Sequence, residues 1–145
     1  MAAAGFPIAN HTYDHATLSG GCYSTQLSEL TRWTASIKTT LGITPLTVMR
    51  PPGGSYDYTT RLATTGAGLR CVVLWDIDTS DWRGPTSATI ASRALAGKEG
   101  SIVLMHTSVD NTAAALPKII AGYRARGFRF VTVGQLLGVG GAVPY

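Results

Sequence analysis

The chain has 145 residues, of which 45% are hydrophobic and only 14% are charged. This composition predicts one globular domain with a hydrophobic core and excludes a disordered chain. Its apolar runs, such as residues 102–105, are too short to cross a bilayer. The formal net charge of +4 comes from basic residues scattered along the chain, which argues against a nucleic-acid partner.

Short apolar runs alternate with amphipathic patterns along the whole chain. The predicted strands cover residues 8–10, 46–49, 71–75, 101–105 and 129–133. The predicted helices cover residues 25–41, 57–65, 86–96 and 112–126, and residues 135–137 form a closing helical turn. This alternation predicts an α/β fold with a parallel sheet and right-handed crossovers.

Two architectures fit that order, an open doubly wound sheet and a closed barrel. The open sheet usually carries a glycine-rich phosphate loop, and the sequence has neither that loop nor a Walker motif. Four polar residues follow predicted strands directly or closely, namely His11, Arg50, Asp81 and His106. Because that end of the strands holds the active site of a β/α barrel, we predict a partial barrel with too few strands to close.

His11 and His15 are four residues apart, and the chain has only one other histidine. On one helical turn this spacing places two imidazoles on the same side. Two neutral imidazoles are the beginning of a transition-metal site, most often for zinc, which needs at least one further protein ligand. The alternative is that both histidines only satisfy polar groups of a loop.

Four motifs occur in order along the chain. They are H-T-Y-D-H at 11–15, R-P-P-G-G at 50–54, D-T-S-D-W at 78–82 and L-M-H at 104–106. Together these motifs resemble the NodB-type polysaccharide deacetylases, carbohydrate esterase family 4. The resemblance extends from about Gly5 to Gly138 and implies a domain over residues 1–138, followed by a tail over residues 139–145. The implied fold is a distorted (β/α) barrel.

The resemblance implies metal-dependent hydrolysis that removes an acetyl group from an amino sugar or an acetylated sugar. His11 and His15 resemble the metal ligands of the family, and the metal is most often zinc. Arg50 resembles the arginine that tethers the catalytic aspartate. The backbone N–H of Gly53 matches the oxyanion donor, although a bulkier aromatic residue is usual there. Because a backbone donor works with any side chain, we expect Gly53 to keep this role.

The two later motifs resemble an acetyl pocket and a general acid. Trp82 and Leu104 match residues that form the wall of the pocket. Asp81 matches the carboxylate that orients a histidine, and His106 matches that histidine. A nearby carboxylate favours the charged imidazole, which can protonate the leaving amine or alkoxide.

The sequence departs from the family pattern at its front. The T-F-D-D-G-P-like motif of the family, which supplies the general base and the third metal ligand, has no counterpart in the chain. The resemblance therefore predicts a domain that is incomplete at its N-terminus, holds zinc weakly and is weakly active alone. The expected substrate is a glycan, either a polymer of N-acetylglucosamine such as peptidoglycan or chitin, or acetylated xylan. The expected protein partner is the missing segment, or a second copy paired along an exposed sheet edge.

Three other interpretations of the motifs stay open. The chain can be a non-catalytic carbohydrate-binding remnant of the same fold. It can also be a cleavage product, or begin at a misassigned start codon. At single positions, Arg50 can belong to a surface turn, Trp82 can be a packing residue and His106 can be a satisfied core histidine.

The compartment and the cysteines are also undecided by the sequence. The first residues have neither a basic start nor a long apolar core, so they predict no signal peptide, whereas the resemblance implies a secreted or cell-envelope protein. Cys22 and Cys71 form either a disulfide, as in an oxidising compartment, or two buried free thiols. Packing rather than sugar binding is expected for four aromatic residues, Tyr13, Trp33, Tyr56 and Trp75.

Overall fold

The computed structural model describes residues 2–139. The chain divides into two compact units. The first unit contains residues 2–74 and 132–139 of the described chain, and the second contains residues 75–131. The predicted tail 139–145 lies outside the described residues apart from Val139, so the domain boundary at 138 stays a prediction. Within the described part of the chain, no helix is long and apolar enough to cross a membrane.

Short strands and longer helices alternate along the described chain. The strands are Ala9–Asn10 (β1), Leu46–Met49 (β2), Cys71–Val72 (β3), Ile77–Asp78 (β4) and Val103–Leu104 (β5). The α-helices are Tyr23–Leu41 (α1), Tyr58–Gly66 (α2), Ser87–Ala94 (α3), Asp110–Ala125 (α4) and Val133–Leu137 (α5). All strand pairs are parallel, which confirms the predicted α/β class.

The sheet of the first unit has the strand order β1-β2-β3. Strand β1 pairs with β2 through Ala9 and Leu46, with an irregularity before Asn10. Strand β2 pairs with β3 through Val48 and Cys71. The predicted bounds of β2 are confirmed, whereas the ladder of β3 ends at Val72, three residues before the predicted end.

Local signals define the helix ends of the first unit. Gly42 ends α1 in the left-handed region at φ = +65°, as the sequence predicts. Asp57 begins α2 with a reciprocal capping box, in which its carboxylate accepts from Thr60 N and the Thr60 hydroxyl accepts from Asp57 N. Hydrogen bonds from the backbone of Gly20 and of Thr60 lower the pKa of Asp57 to about 2. The buried core of this unit contains Leu18, Leu30, Met49, Ala63 and Leu69.

The second unit joins a two-stranded sheet to a helix pair. Strand β4 pairs with β5, with Asp78 opposite Leu104. Helices α3 and α4 form a core of buried side chains, namely Ile90, Ala91, Ala94, Ala115, Ile119 and Tyr123. Arg126 strengthens this core by donating from its guanidinium to the carbonyl oxygens of Leu95 and Gly97, at 2.7 and 2.9 Å.

The predicted strand 129–133 is wrong. Residues 128–132 form no regular structure, and α5 follows with Thr132 as its cap. The rings of Phe128 and Phe130 contact Tyr123 edge-on at centroid distances of 5.4 and 5.8 Å, whereas Val131 is 52% exposed. Strand β4 was not predicted, because Ile77–Asp78 lies outside all the predicted strands and helices.

The two cysteines are free thiols, so the thiol alternative holds. Cys22 is exposed at the beginning of α1, rather than buried as that alternative expects. Hydrogen bonds with the Ser24 and Thr25 hydroxyls lower the pKa of Cys22 to about 7. Cys71 is partly buried in β3.

Candidate functional site

The two motif histidines of the first unit lie in a loop directly after β1. Residues 11–15, which we call the histidine loop, are not helical, so the predicted helical turn is wrong. Thr12 and His15 instead adopt left-handed backbone conformations at φ = +65° and +56°. These two positions fold the loop back, and the rings of His11 and His15 meet edge-on with centroids 5.0 Å apart. The predicted proximity of the two imidazoles is therefore confirmed, by a different backbone geometry.

A buried asparagine fixes the start of the histidine loop. Asn10 is 1% exposed, and its Oδ1 accepts from the backbone N–H of Thr12 at 3.0 Å. Its Nδ2 donates to Leu30 O and to Thr34 Oγ1 on helix α1. The local bond to Thr12 stabilises a turn that a non-glycine residue otherwise adopts rarely.

A buried glutamate on α1 fixes the middle of the same loop. Glu29 accepts from the backbone N–H groups of both Tyr13 and Asp14 through one oxygen, Oε2, at 2.9 Å each. The side chain of Tyr13 is partly exposed, and the Arg32 guanidinium lies 4.1 Å from the centroid of its ring. Helix α1 thus holds the histidine loop in two ways. It binds the side chain of Asn10, directly before the loop, and Glu29 on the helix binds two N–H groups within the loop.

The backbone carbonyl directly after β2 sets the tautomer of one imidazole. Nδ1 of His11 donates to the carbonyl oxygen of Arg50 at 2.6 Å, because a carbonyl can only accept. In the neutral ring this places the proton on Nδ1 and the lone pair on Nε2. A histidine that donates through one ring nitrogen and offers the other is the usual form of a metal ligand.

The donor set of the histidine loop fits part of a zinc site. Two imidazoles with centroids 5.0 Å apart are ligands that zinc prefers. Among residues 2–139, however, no group of three or more His, Cys, Asp or Glu side chains could hold a metal ion. The described residues therefore supply two ligands of a site that needs at least three.

Arg50 and Gly53 lie in the turn that follows β2. The Arg50 guanidinium is near Leu74 O at 3.5 Å, and burial lowers the pKa of Arg50 from its ordinary value. Gly53 occupies the left-handed region at φ = +62°, and a Cβ at this position would meet no atom within 4 Å. Glycine therefore suits this position because it tolerates a positive φ, and not because a larger side chain would clash.

The predicted pair in the second unit is present. Asp81 is 1% exposed, and its Oδ1 accepts from Nδ1 of His106 at 2.7 Å. Its Oδ2 accepts from the backbone N–H of His106 at 2.7 Å and from the hydroxyl of Thr112 at 2.6 Å. We call Asp81, His106 and Thr112 the aspartate cluster.

Hydrogen bonds keep the buried carboxylate of the aspartate cluster ionised. Burial by itself raises the pKa of Asp81, because a charge is poorly solvated inside a protein. The bonds from Thr112 and His106, together with the charge of the imidazole, lower the pKa of Asp81 below its ordinary value. The His106 side chain is 43% exposed, so the imidazole reaches solvent while the aspartate does not.

The two predicted pocket residues also lie in the second unit. Trp82 directly follows Asp81, is 59% exposed and carries the Arg83 guanidinium 4.7 Å from its ring centroid. Leu104 is partly buried in β5, and its carbonyl oxygen accepts from the hydroxyl of Thr79. Full burial of Trp82 as a packing residue is therefore excluded, while a pocket role for either residue stays a prediction.

Sequence reasoning found the histidines but missed the residues that hold them. Asn10, Glu29 and Thr112 are buried polar residues that belong to no motif quoted above. Asn10 directly precedes His11, which is a weak signal for a turn. Glu29 and Thr112 lie within helical stretches and gave no signal, because their partners are distant in the sequence.

Comparisons with known proteins agree with the motif resemblance. The family model for polysaccharide deacetylases matches residues 1–72. A bifunctional xylanase/xylan deacetylase of Cellvibrio japonicus is 36% identical over 121 residues, which cover 83% of this chain and 18% of that protein. A peptidoglycan-N-acetylglucosamine deacetylase of Listeria monocytogenes is 29% identical over 135 residues, which cover 92% of this chain and 28% of that protein. The chain thus spans less than a third of the length of these two curated relatives.

A solved structure confirms the fold. A family 4 carbohydrate esterase from Streptomyces lividans, in complex with acetate, matches with a TM-score of 0.87 and 29% identity. The match covers 99% of this chain and 73% of that chain. The predicted partial, distorted (β/α) barrel is therefore confirmed. With the family match and the deacetylase relatives, this likeness shows that the chain belongs to the NodB-type polysaccharide deacetylases, carbohydrate esterase family 4.

Proposed function

We propose that this protein takes part in metal-dependent hydrolytic deacetylation of a glycan. Support comes from the two relatives above, which are named for deacetylation of xylan and of N-acetylglucosamine in peptidoglycan. The expected substrates are polymers of N-acetylglucosamine, such as peptidoglycan or chitin, and acetylated xylan. Because such polymers lie outside the cytoplasm, we propose a secreted or cell-envelope location.

The observation that carries this proposal is the geometry of the histidine loop. His11 and His15 would hold one divalent metal ion, and two imidazole donors favour zinc. A metal held there supplies a Lewis acid for the acetyl carbonyl and makes water a better nucleophile. The hydrogen bond from His11 Nδ1 to the Arg50 carbonyl fixes the orientation of the ring. This orientation sets the direction of the lone pair on Nε2.

We assign the protonation of the leaving group to the aspartate cluster. His106 would protonate the amine or alkoxide that leaves when the acetyl group is removed. Asp81 holds the imidazole through Nδ1, which leaves Nε2 as the nitrogen that gives up the proton. Thr112 in turn fixes the second carboxylate oxygen, so the imidazole is oriented by a carboxylate that cannot rotate freely.

Three further roles follow from the family. The backbone N–H of Gly53 would donate to the oxyanion formed when the acetyl carbon is attacked. Arg50 would hold a catalytic aspartate by charge. Trp82 and Leu104 would bound the acetyl group, and the exposed face of Trp82 suits contact with a small apolar methyl.

The same donor set favours a second candidate, a carbohydrate-binding remnant without catalysis. Two imidazoles alone hold zinc weakly, and the described chain lacks a third ligand of the His, Cys, Asp or Glu type. We therefore expect the 145-residue chain to be weakly active alone.

Acetate release decides between the two candidates. The chain is incubated with N-acetylglucosamine oligomers and with acetylated xylan, with zinc added or with a chelator, and acetate is measured. Slow release that needs zinc and disappears in His106→Ala supports the deacetylase. No release at any zinc concentration, together with metal-independent binding of the same oligomers, establishes the binding remnant instead.

A further inference from the structure

Glu29 is a buried carboxylate with a single kind of partner. Its side chain belongs to helix α1, its residue is 7% exposed, and Oε2 accepts from two consecutive backbone N–H groups, those of Tyr13 and Asp14. Within the described chain, no Lys, Arg or His side chain lies within ion-pair distance of Glu29. A buried negative charge without a cationic partner is unusual, because the interior solvates it poorly.

The backbone around these N–H groups has the shape of an anion-binding nest. Left-handed residues flank the pair, with Thr12 at φ = +65° before it and His15 at φ = +56° after it. Successive N–H groups in such a turn converge on one point and favour an anion there. In this protein the anion is the carboxylate of Glu29, which thereby stabilises two backbone conformations that non-glycine residues rarely adopt.

The same turn brings the two imidazoles together. His11 and His15 stand on either side of the residues that Glu29 holds, and their rings meet only because the loop folds back. A carboxylate that binds the backbone between the two histidines also adds a negative charge to the loop that would hold the cation. Both effects act in the same direction, toward binding of a cation.

We propose that Glu29 is a positioning residue for the metal ligands, which holds the rings of His11 and His15 together and raises their affinity for a divalent cation by its charge. This inference rests on the proposed function for its metal, but its geometric part does not need one. Outer partners of metal ligands typically change metal affinity by about 10–100-fold. We expect an effect of that size from Glu29, with the larger part due to geometry.

The test uses three variants of the 145-residue chain. Glu29→Ala removes both the acceptor and the charge, and Glu29→Gln keeps an acceptor oxygen but removes the charge. Gln26→Ala is the matched control, because Gln26 is also buried on α1 but donates to Gly21 O, away from the histidine loop. Two quantities are measured, the zinc dissociation constant by calorimetry and the NOEs between the His11 and His15 ring protons without metal.

We expect Glu29→Ala to lose the NOEs between the rings and to bind zinc about 10–100-fold more weakly. Glu29→Gln is expected to keep the NOEs and lose only a few-fold in affinity, and Gln26→Ala to match the parent in both. Intact NOEs in Glu29→Ala, or equal losses in Glu29→Ala and Gln26→Ala, would overturn the positioning role. Should Glu29→Ala not fold, Glu29→Gln decides alone, since parent-like zinc affinity in that variant overturns the role of the charge.

The parent chain separates this inference from the proposed function. If the parent binds no zinc but Glu29→Ala loses the NOEs, the positioning role stands and the metal assignment fails. If the parent binds zinc and Glu29→Ala binds it equally well, the metal assignment stands and the inference fails.

Discussion

The histidine loop and the aspartate cluster hold imidazoles through the same nitrogen but with different partners. His11 donates from Nδ1 to a backbone carbonyl, whereas His106 donates from Nδ1 to the Asp81 carboxylate. Both kinds of acceptor occur behind metal-bound imidazoles, but only a charged acceptor also favours the protonated imidazole that can give up a proton. The partner of Nδ1 is therefore consistent with both proposed roles and favours proton transfer by His106.

Each region also contains a buried carboxylate, and the two are used differently. Glu29 binds backbone N–H groups and shapes a loop, while Asp81 binds an imidazole directly together with a hydroxyl and a backbone N–H. Removal of the Asp81 carboxylate therefore leaves more hydrogen-bond donors without an acceptor than removal of the Glu29 carboxylate does. The comparison predicts that the second unit depends on its carboxylate mainly for stability, and the first unit mainly for ligand geometry.

The largest expected effect is on stability in the aspartate cluster. Asp81→Ala leaves the Thr112 hydroxyl and the backbone N–H of His106 without their acceptor, and each buried donor left unsatisfied costs about 1–3 kcal/mol. The His106 imidazole is 43% exposed, so solvent replaces its lost partner and this bond adds little to the cost. The free energy of unfolding is measured by urea titration with circular dichroism. Asp81→Asn keeps one acceptor oxygen and should lose clearly less. Equal stability of Asp81→Ala and the parent would contradict the description of this cluster.

The next effect separates the two kinds of histidine. His11→Ala and His15→Ala should each weaken zinc binding by at least tenfold, which corresponds to about 1.4 kcal/mol. His106→Ala should leave the zinc dissociation constant unchanged, because its partner is Asp81. Calorimetric titration of all three variants measures this. Equal weakening by the three substitutions would remove the distinction drawn from the Nδ1 partners.

A smaller effect on stability concerns one glycine in each of the two compact units. Gly53 and Gly84 both have positive φ, at +62° and +76°, and both face open space. Alanine at either position is strained by its backbone alone, which costs about 1 kcal/mol. Urea titrations of Gly53→Ala and Gly84→Ala should therefore give similar losses, and Asn at either position should lose less. A loss of several kcal/mol at Gly53 alone would indicate contacts that the open space excludes.

The smallest expected effect is the response to acid. Because the pKa of Asp81 is lower in the folded chain than its unfolded value of about 3.9, its contribution to stability is present above that value. It is lost as the pH falls through the lower folded pKa. Asp57, with a pKa of about 2, acts in the same direction. Urea titrations between pH 6 and pH 2 should show a weaker acid dependence in Asp81→Asn than in the parent, and an unchanged dependence would contradict the assignment.

Much of the fold could be predicted because its signals are local. The bounds of β2, the Asp57 cap and the Gly42 stop depend on residues within one turn of each other. The predicted strand 129–133 failed for the opposite reason. Phe130 and Val131 remain about half exposed, and only the ring of Phe130 contacts Tyr123 on the preceding helix. An apolar pattern alone does not show which surface of the fold its side chains pack against.

The sequence by itself determined the order of the motifs, the α/β class and the identity of His11, His15, Asp81 and His106 as residues that follow strands. Only the tertiary structure decided how these residues are held. Thr12 and His15 turn left-handed in a loop whose intervening N–H groups, those of Tyr13 and Asp14, are bound by Glu29, which lies 16 residues from Tyr13 in the chain. A local pattern carries information about neighbours a few residues apart, whereas a buried polar group is satisfied by whatever the fold brings to it.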